Sequence, residues 1–178
     1  MLFFTQRPSA GINLANPMKK ALKILLLLII ALPLLILIAG QAGLLHGNRP
    51  ADLGAKNGQL KPPGANSQNV VSSQSKLHPH TAYHEIAPLN DSGEPGPAMA
   101  KLEKVIRAME GANVIAAGPD YLYAEFQTHY LKFIDDVEFF VDASSHEIHM
   151  RSASRLGRKD FGANRTRLEQ VRQGFARP

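Results

Sequence analysis

Between residues 24 and 45 the chain carries no charged side chain, and the stretch ILLLLIIALPLLILIAG is as apolar as a bilayer interior. About 22 residues at roughly 1.5 Å each reach about 33 Å, enough to cross a membrane once as a helix. A secretory signal usually has a shorter apolar core, about 7–15 residues, and ends in a small-x-small site. Here the best cleavage pattern, Gly40-Gln41-Ala42, is weak, so residues 24–45 are expected to be a transmembrane helix or uncleaved signal anchor. Lys19, Lys20 and Lys23 precede the run and the next Lys or Arg is Arg49. The positive-inside rule then leaves residues 1–23 in the cytoplasm and the rest outside it. The expected location is the bacterial inner membrane, crossed once, with the domain in the periplasm. Met18 and the lysines after it already have the form of a complete export signal, so translation is expected to start at Met18, or else at Met1 with residues 1–17 as a disordered tail.

The anchor also explains the charge. Of 20 basic side chains, Arg7 and the three lysines lie in residues 1–47 with no acid beside them, which leaves 16 basic against 15 acidic in residues 48–178. A nearly neutral domain lacks the footprint of a DNA- or RNA-binding protein. The absence of cysteine removes disulfides, thiol chemistry and lipoprotein acylation.

Residues 46–76 are rich in Gly, Pro, Asn, Gln and Ser and show neither a helical nor a strand period, so they are expected to be a flexible linker. The globular domain is expected over residues 77–178. Met99, Leu102, Val105, Ile106 and Met109 recur at spacings of three and four, predicting a helix opened by Gly96-Pro97 and closed by Gly111. Residues 113–116 and 121–128 flank the turn Ala117-Gly118-Pro119-Asp120 as a first hairpin. In the second hairpin, Val137, Phe139 and Val141 alternate with Glu138, Phe140 and Asp142, and Ile148 and Met150 alternate with His149 and Arg151. A turn at Ser144-Ser145 sets Phe139 opposite Met150, Val141 opposite Ile148 and Glu138 opposite Arg151. A last helix places Leu168, Val171 and Phe175 on one face, with Thr166 and Glu169 as a capping box. The predicted fold is α+β in two layers: a four-stranded antiparallel sheet with two helices on one face, preceded by the transmembrane helix and the linker.

Four pieces of this sequence, Asn69-Val70-Val71-Ser72-Ser73-Gln74, Asp135-Asp136-Val137-Glu138-Phe139, Arg151-Ser152-Ala153-Ser154-Arg155-Leu156-Gly157 and Asp160-Phe161-Gly162-Ala163-Asn164-Arg165, resemble the bacterial and plastid family known as domain of unknown function 1499. The resemblance covers roughly residues 62–175. Family members often carry Cys where Val70 stands, so cysteine chemistry is not available to this chain. The resemblance implies no reaction.

The strongest candidate site is Arg151, Ser152, Ser154, Arg155, Asn164 and Arg165, because guanidinium forks and a helix N-terminus together bind carboxylate or phosphate. Against it stands charge cancellation: residues 149–178 hold 8 basic and 2 acidic side chains, residues 120–148 hold 7 acidic and 1 basic. Structural pairing among Asp136, Glu138 and Arg151 is therefore the competing reading, with Arg155 and Arg165 expected to be freer for a ligand. His78, His80 and His84 lie in an irregular segment, and no metal site or cofactor is assigned to them or to His146 and His149. Ser72 and Ser73 lack a nucleophile-elbow pattern, and the acids Asp135, Asp136 and Glu138 face arginines that would spoil proton donation. No catalytic residue is assigned. The expected function is a membrane-anchored extracytoplasmic binding or interaction module, held by residues 24–45, with an anionic small molecule or an envelope protein as partner and no nucleic acid. A cell-envelope hydrolase is the alternative.

Overall fold

The computed structural model describes residues 15–64, 67–90, 94–142 and 144–177. The chain divides into two compact units, residues 1–38 and 39–178. Most of the expected 1–17 tail lies outside the described residues.

Helix α1, Ala15–Gln41, begins before the apolar run and takes in all three lysines. Pro17–Gln41 is long and apolar enough to cross a membrane. Pro33 sits inside it, where the ring removes a backbone donor. The helix stops four residues short of the expected Leu45 because Gly43 takes a left-handed φ of 80°. Gly43 N–H then donates to Gly40 O (2.9 Å) and Leu44 N–H to Ala39 O (3.0 Å), the bond pair of a Schellman motif.

In the 39–178 unit the order is β1 (Val70–Ser72), β2 (Leu89–Asn90), α2 (Pro95–Arg107), β3 (Ala112–Ala117), β4 (Tyr121–Gln127), β5 (Ile134–Asp142), β6 (Glu147–Ser154) and α3 (Ala163–Phe175). The sheet is antiparallel with six strands, not four, in the order β1-β6-β5-β4-β3, and β2 also pairs with β6. The second hairpin has the expected register, Glu138 opposite Arg151, Phe139 opposite Met150 and Val141 opposite Ile148. In β3, the pairing with β4 slips between Val114 and Ala116, which leaves Ile115 out of register.

Alternation divides the sheet by chemistry. Leu122, Ala124 and Phe126 of β4, Val137, Phe139 and Val141 of β5, and Ile148 and Met150 of β6 share one core with Met99, Leu102 and Ile106 of α2 and Leu168, Val171 and Phe175 of α3. The opposite face presents Tyr121, Tyr123, Glu125, Asp136, Glu138, Arg151 and Arg155. Residues 46–76 are not a free linker. Val70–Ser72 supplies strand β1, Leu60 is 2% exposed, and Gly54 N–H donates to Glu138 Oε1 (2.7 Å). Buried carboxylates need donors, and this segment provides them. The capping box expected at Thr166 is also corrected: α3 begins at Ala163, and Asp160 caps it by accepting from Gly162 N–H and Asn164 N–H, both at 3.0 Å.

Candidate functional site

The six candidate residues do not converge. A strand sends consecutive side chains to opposite faces, so Arg151 and Arg155 part company with Ser152 and Ser154. Three separate constellations result.

The first lies on the polar face. Arg151 Nη1 donates to Glu138 Oε2 at 3.0 Å, with side chains 4% and 0% exposed. Glu138 Oε1 also accepts from Tyr121 Oη (2.8 Å). Arg155, its side chain 5% exposed, meets Asp136 through Nη2 at 2.7 Å and also contacts Glu125. Tyr123 Oη is 2.6 Å from Asp136 Oδ1 and 3.1 Å from Glu125 Oε1. Arg49 closes the network from outside, its Nη2 2.6 Å from Glu125 Oε1. Gly47, at a φ of 68°, lets the chain pass here, since a Cβ on it would come 2.8 Å from Arg155 Cβ. Arg155 is thus not free for a ligand.

The titration of this network follows its geometry. Burial pushes the Glu125 carboxyl up, but hydrogen bonds from Arg155, Arg49 and Tyr123 outweigh it and hold the carboxyl below the ordinary range. Burial, then the Glu138 charge, raises the Tyr121 phenol; burial, then the bond to Asp136, raises Tyr123. These phenols are donors and the carboxylates acceptors in a structural network, in which the buried Arg151 Nε alone is left without a partner among the described residues.

The second constellation lies on the core side of the sheet. Asn164, fully buried, donates through Nδ2 to Asn69 O and Ser154 Oγ, both at 3.0 Å, and accepts from Ser152 Oγ. Arg167 joins it: Nη1 reaches Asn164 Oδ1 (2.8 Å), Nη2 reaches Asp135 Oδ2 (2.6 Å), and the guanidinium lies 4.9 Å from the Phe126 ring centroid. This set ties α3 to β1, β5 and β6. Arg167 was not among the expected residues, although it follows Asn164 by one helical turn. Arg165 stands apart and donates to Tyr83 O (2.9 Å) and Glu85 O (2.6 Å), clamping the chain before β2.

His80 and His84 are likewise engaged in local structure, whereas the buried His78 Nε2 has no partner among the described residues. His84 accepts from Thr81 N–H at Nδ1 (2.9 Å) and meets Ser67 O at Nε2 (2.7 Å). His80 bridges His78 O and Glu85 Oε1. Ser72 is 1% exposed. Ser73 Oγ lies 3.3 Å from His149 Nδ1 and accepts from Met150 N–H (3.0 Å).

Among the open cavities is a groove of about 720 Å³, lined by Met109, Phe126, Thr128, Ala163, Thr166 and Gln170 among others. Phe161 stands at its rim, 97% exposed at a φ of 54°. A non-glycine residue rarely adopts this backbone, and a large ring is rarely left in water. Asp160 and Gly162, which flank it, are fixed by the cap of α3. Periodicity could not have found this site, because Phe161 belongs to no face.

A family model described as "Protein of unknown function (DUF1499)" matches residues 59–175. No curated protein and no solved structure matches the chain.

Proposed function

The chain belongs to the DUF1499 family, whose description carries no reaction, and from that premise we propose a membrane-anchored binding module that uses the groove beside Phe161. In this reading residues 17–41 serve as a single-pass anchor, and Lys19, Lys20 and Lys23 ahead of the apolar run support a periplasmic side for the 39–178 unit. The observation that carries the reading is Phe161, a ring held in solvent by a capped turn at the edge of a cavity within the usual size range of ligand sites. Met109, Phe126 and Ala163 give it apolar surface, Thr128, Thr166 and Gln170 add neutral polar groups, and Glu110, His129 and Arg167 also line it. That chemistry suits a compact apolar group bearing hydrogen-bonding groups, such as an aromatic side chain on a peptide. Arginine-based recognition of an anion loses its support, because Arg151, Arg155 and Arg165 all have internal partners.

N-acetylphenylalanine amide is a suitable probe. In the full chain, methyl-labelled at Met, the Met109 resonance is expected to shift saturably while that of buried Met99 stays in place. Thr166→Trp, which fills the groove, should abolish the response. A Met109 signal indifferent to the probe up to its solubility limit would remove the groove from consideration.

The hydrolase alternative has one observation in its favour. Ser73 Oγ sits 3.3 Å from His149 Nδ1, and His149 Nε2 is 4.0 Å from Glu147 Oε2, beyond hydrogen-bond length. A fluorophosphonate adduct on Ser73, lost in His149→Ala, would establish that reading over the binding one.

A further inference from the structure

We propose that the loop of residues 128–133, joining β4 to β5, lies in the lipid headgroup layer of the bilayer that α1 crosses, with Tyr130 as an interfacial anchor. The inference rests on the membrane-anchored reading of α1.

The position of the loop follows from the last two residues of the helix. The Schellman turn ends α1 at Gln41, and Gln41 is the first polar side chain after the apolar run that starts at Ile24. Gly40 and Gln41 therefore mark the depth at which hydrocarbon gives way to headgroups. Both belong to the same compact unit as the loop. Gln41 Nε2 donates to Tyr130 O at 2.8 Å. Gly40 abuts Leu131, where a Cβ would come 2.5 Å from the carbonyl oxygen. An element in backbone contact with Gly40 shares its depth to within a few ångströms.

The composition of the loop suits that depth. Tyr130 is 72% exposed, and Leu44, just past the helix end, is 74% exposed. An exposed amphipathic ring and an exposed leucine are poorly placed in water and well placed at a membrane interface, where the ring meets acyl chains and the hydroxyl meets headgroups. The ring also has support: His129 packs edge-on at 4.8 Å between centroids. The loop is closed on itself, with Thr128 N–H donating to Phe133 O and Phe133 N–H to Thr128 Oγ1, both at 2.9 Å. Lys132, at a φ of 57°, adds a cation to the loop. A tethered partner protein would need an apolar patch of its own, whereas the bilayer is already present wherever α1 is.

The chain contains no tryptophan, so a single introduced one reports alone. Full-length Tyr130→Trp is reconstituted in phosphatidylcholine–phosphatidylglycerol vesicles, with N-acetyltryptophanamide as the aqueous reference. The expected result is emission shifted to the blue of that reference, quenched by lipids brominated near the headgroup end of the acyl chain and shielded from acrylamide. Leu32→Trp, inside α1, tests the anchor independently through lipids brominated deep in the chain. If Leu32→Trp is quenched and Tyr130→Trp instead emits like the reference and is quenched by acrylamide, the loop is in water and the proposal falls while the anchor stands. Shielding from acrylamide without bromolipid quenching would assign Tyr130 to a protein contact and overturn the proposal as well. An unquenched Leu32→Trp would remove the anchor and this inference together.

Discussion

Glu138 and Arg151 face each other across the β5–β6 ladder at 3.0 Å, almost wholly removed from solvent, and Glu138 serves Gly54 N–H and Tyr121 Oη at the same time. An exposed pair in this position would have a small effect, restored by exchanging the charges. Burial changes both expectations. Arg151→Leu leaves an unpaired buried carboxylate and should cost about 3–5 kcal/mol in denaturant unfolding. The charge exchange should restore nothing, because an arginine at 138 offers only donors to Gly54 N–H and Tyr121 Oη. Adding Glu138→Gln to Arg151→Leu should recover part of the loss, since the amide keeps an acceptor oxygen without the charge.

The same face predicts a pH profile. The Glu125 carboxyl is held low in the folded state, so its contribution is complete above the unfolded value, about 4.3, and disappears as pH falls through the folded value. Wild type and Glu125→Gln should differ in stability by a constant amount above about pH 5 and converge at lower pH. The phenols of Tyr121 and Tyr123 are held high, so their contribution is present below about pH 10 and lost as the unfolded tyrosines ionise above it. Replacing both with Phe should flatten that alkaline loss. A wild-type stability curve parallel to the variants at both extremes would contradict this account.

The segment before β1 should behave as part of the folded unit. Leu60→Ala is expected to cost about 2–5 kcal/mol, as truncation of a buried leucine does. Limited proteolysis should leave residues 46–64 uncut under native conditions. Rapid cleavage there, with the rest intact, would return the segment to the status of a tether.

Removing the α3 cap offers a smaller, local test. Asp160→Ala deprives Gly162 N–H and Asn164 N–H of their acceptor and should cost about 0.5–2 kcal/mol. Because Asn164 links this turn to β1 and β6, amide exchange should quicken at the start of α3 and in β1 together.

The parts legible in the sequence are those with long alternation. Residues 137–151 permit one register, because a slip by one would turn the charged side chains toward the apolar core. Strands β1 and β2 are three and two residues long, too short for a period, and Val70-Val71 sits among Asn, Ser and Gln. The candidate site failed for a reason its own spacing contained. Arg151, and Arg155 just past the end of β6, fall on odd numbers and Ser152 and Ser154 on even ones, so proximity in the chain placed them on opposite sides of the sheet. Tyr121, Tyr123 and Glu125 could have been found by the same alternation against Leu122, Ala124 and Phe126. Arg49 and Gly54 could not, since only the fold brings them to the network.

Under the proposed membrane anchoring, the slip at Ile115 bears on how many copies of this protein can share a bilayer. Strand β3 closes the sheet on one side and carries no charged residue, and its outer edge is open to a neighbour. Anchored molecules meet edge to edge far more often than free ones, and a smooth, uncharged edge would invite them to zip into fibres. The misplaced residue breaks the ladder into three pairs, Ala112 to Val114, and two, Ala116 and Ala117. Neither piece is long enough to template another strand, so crowding in two dimensions need not become polymerisation.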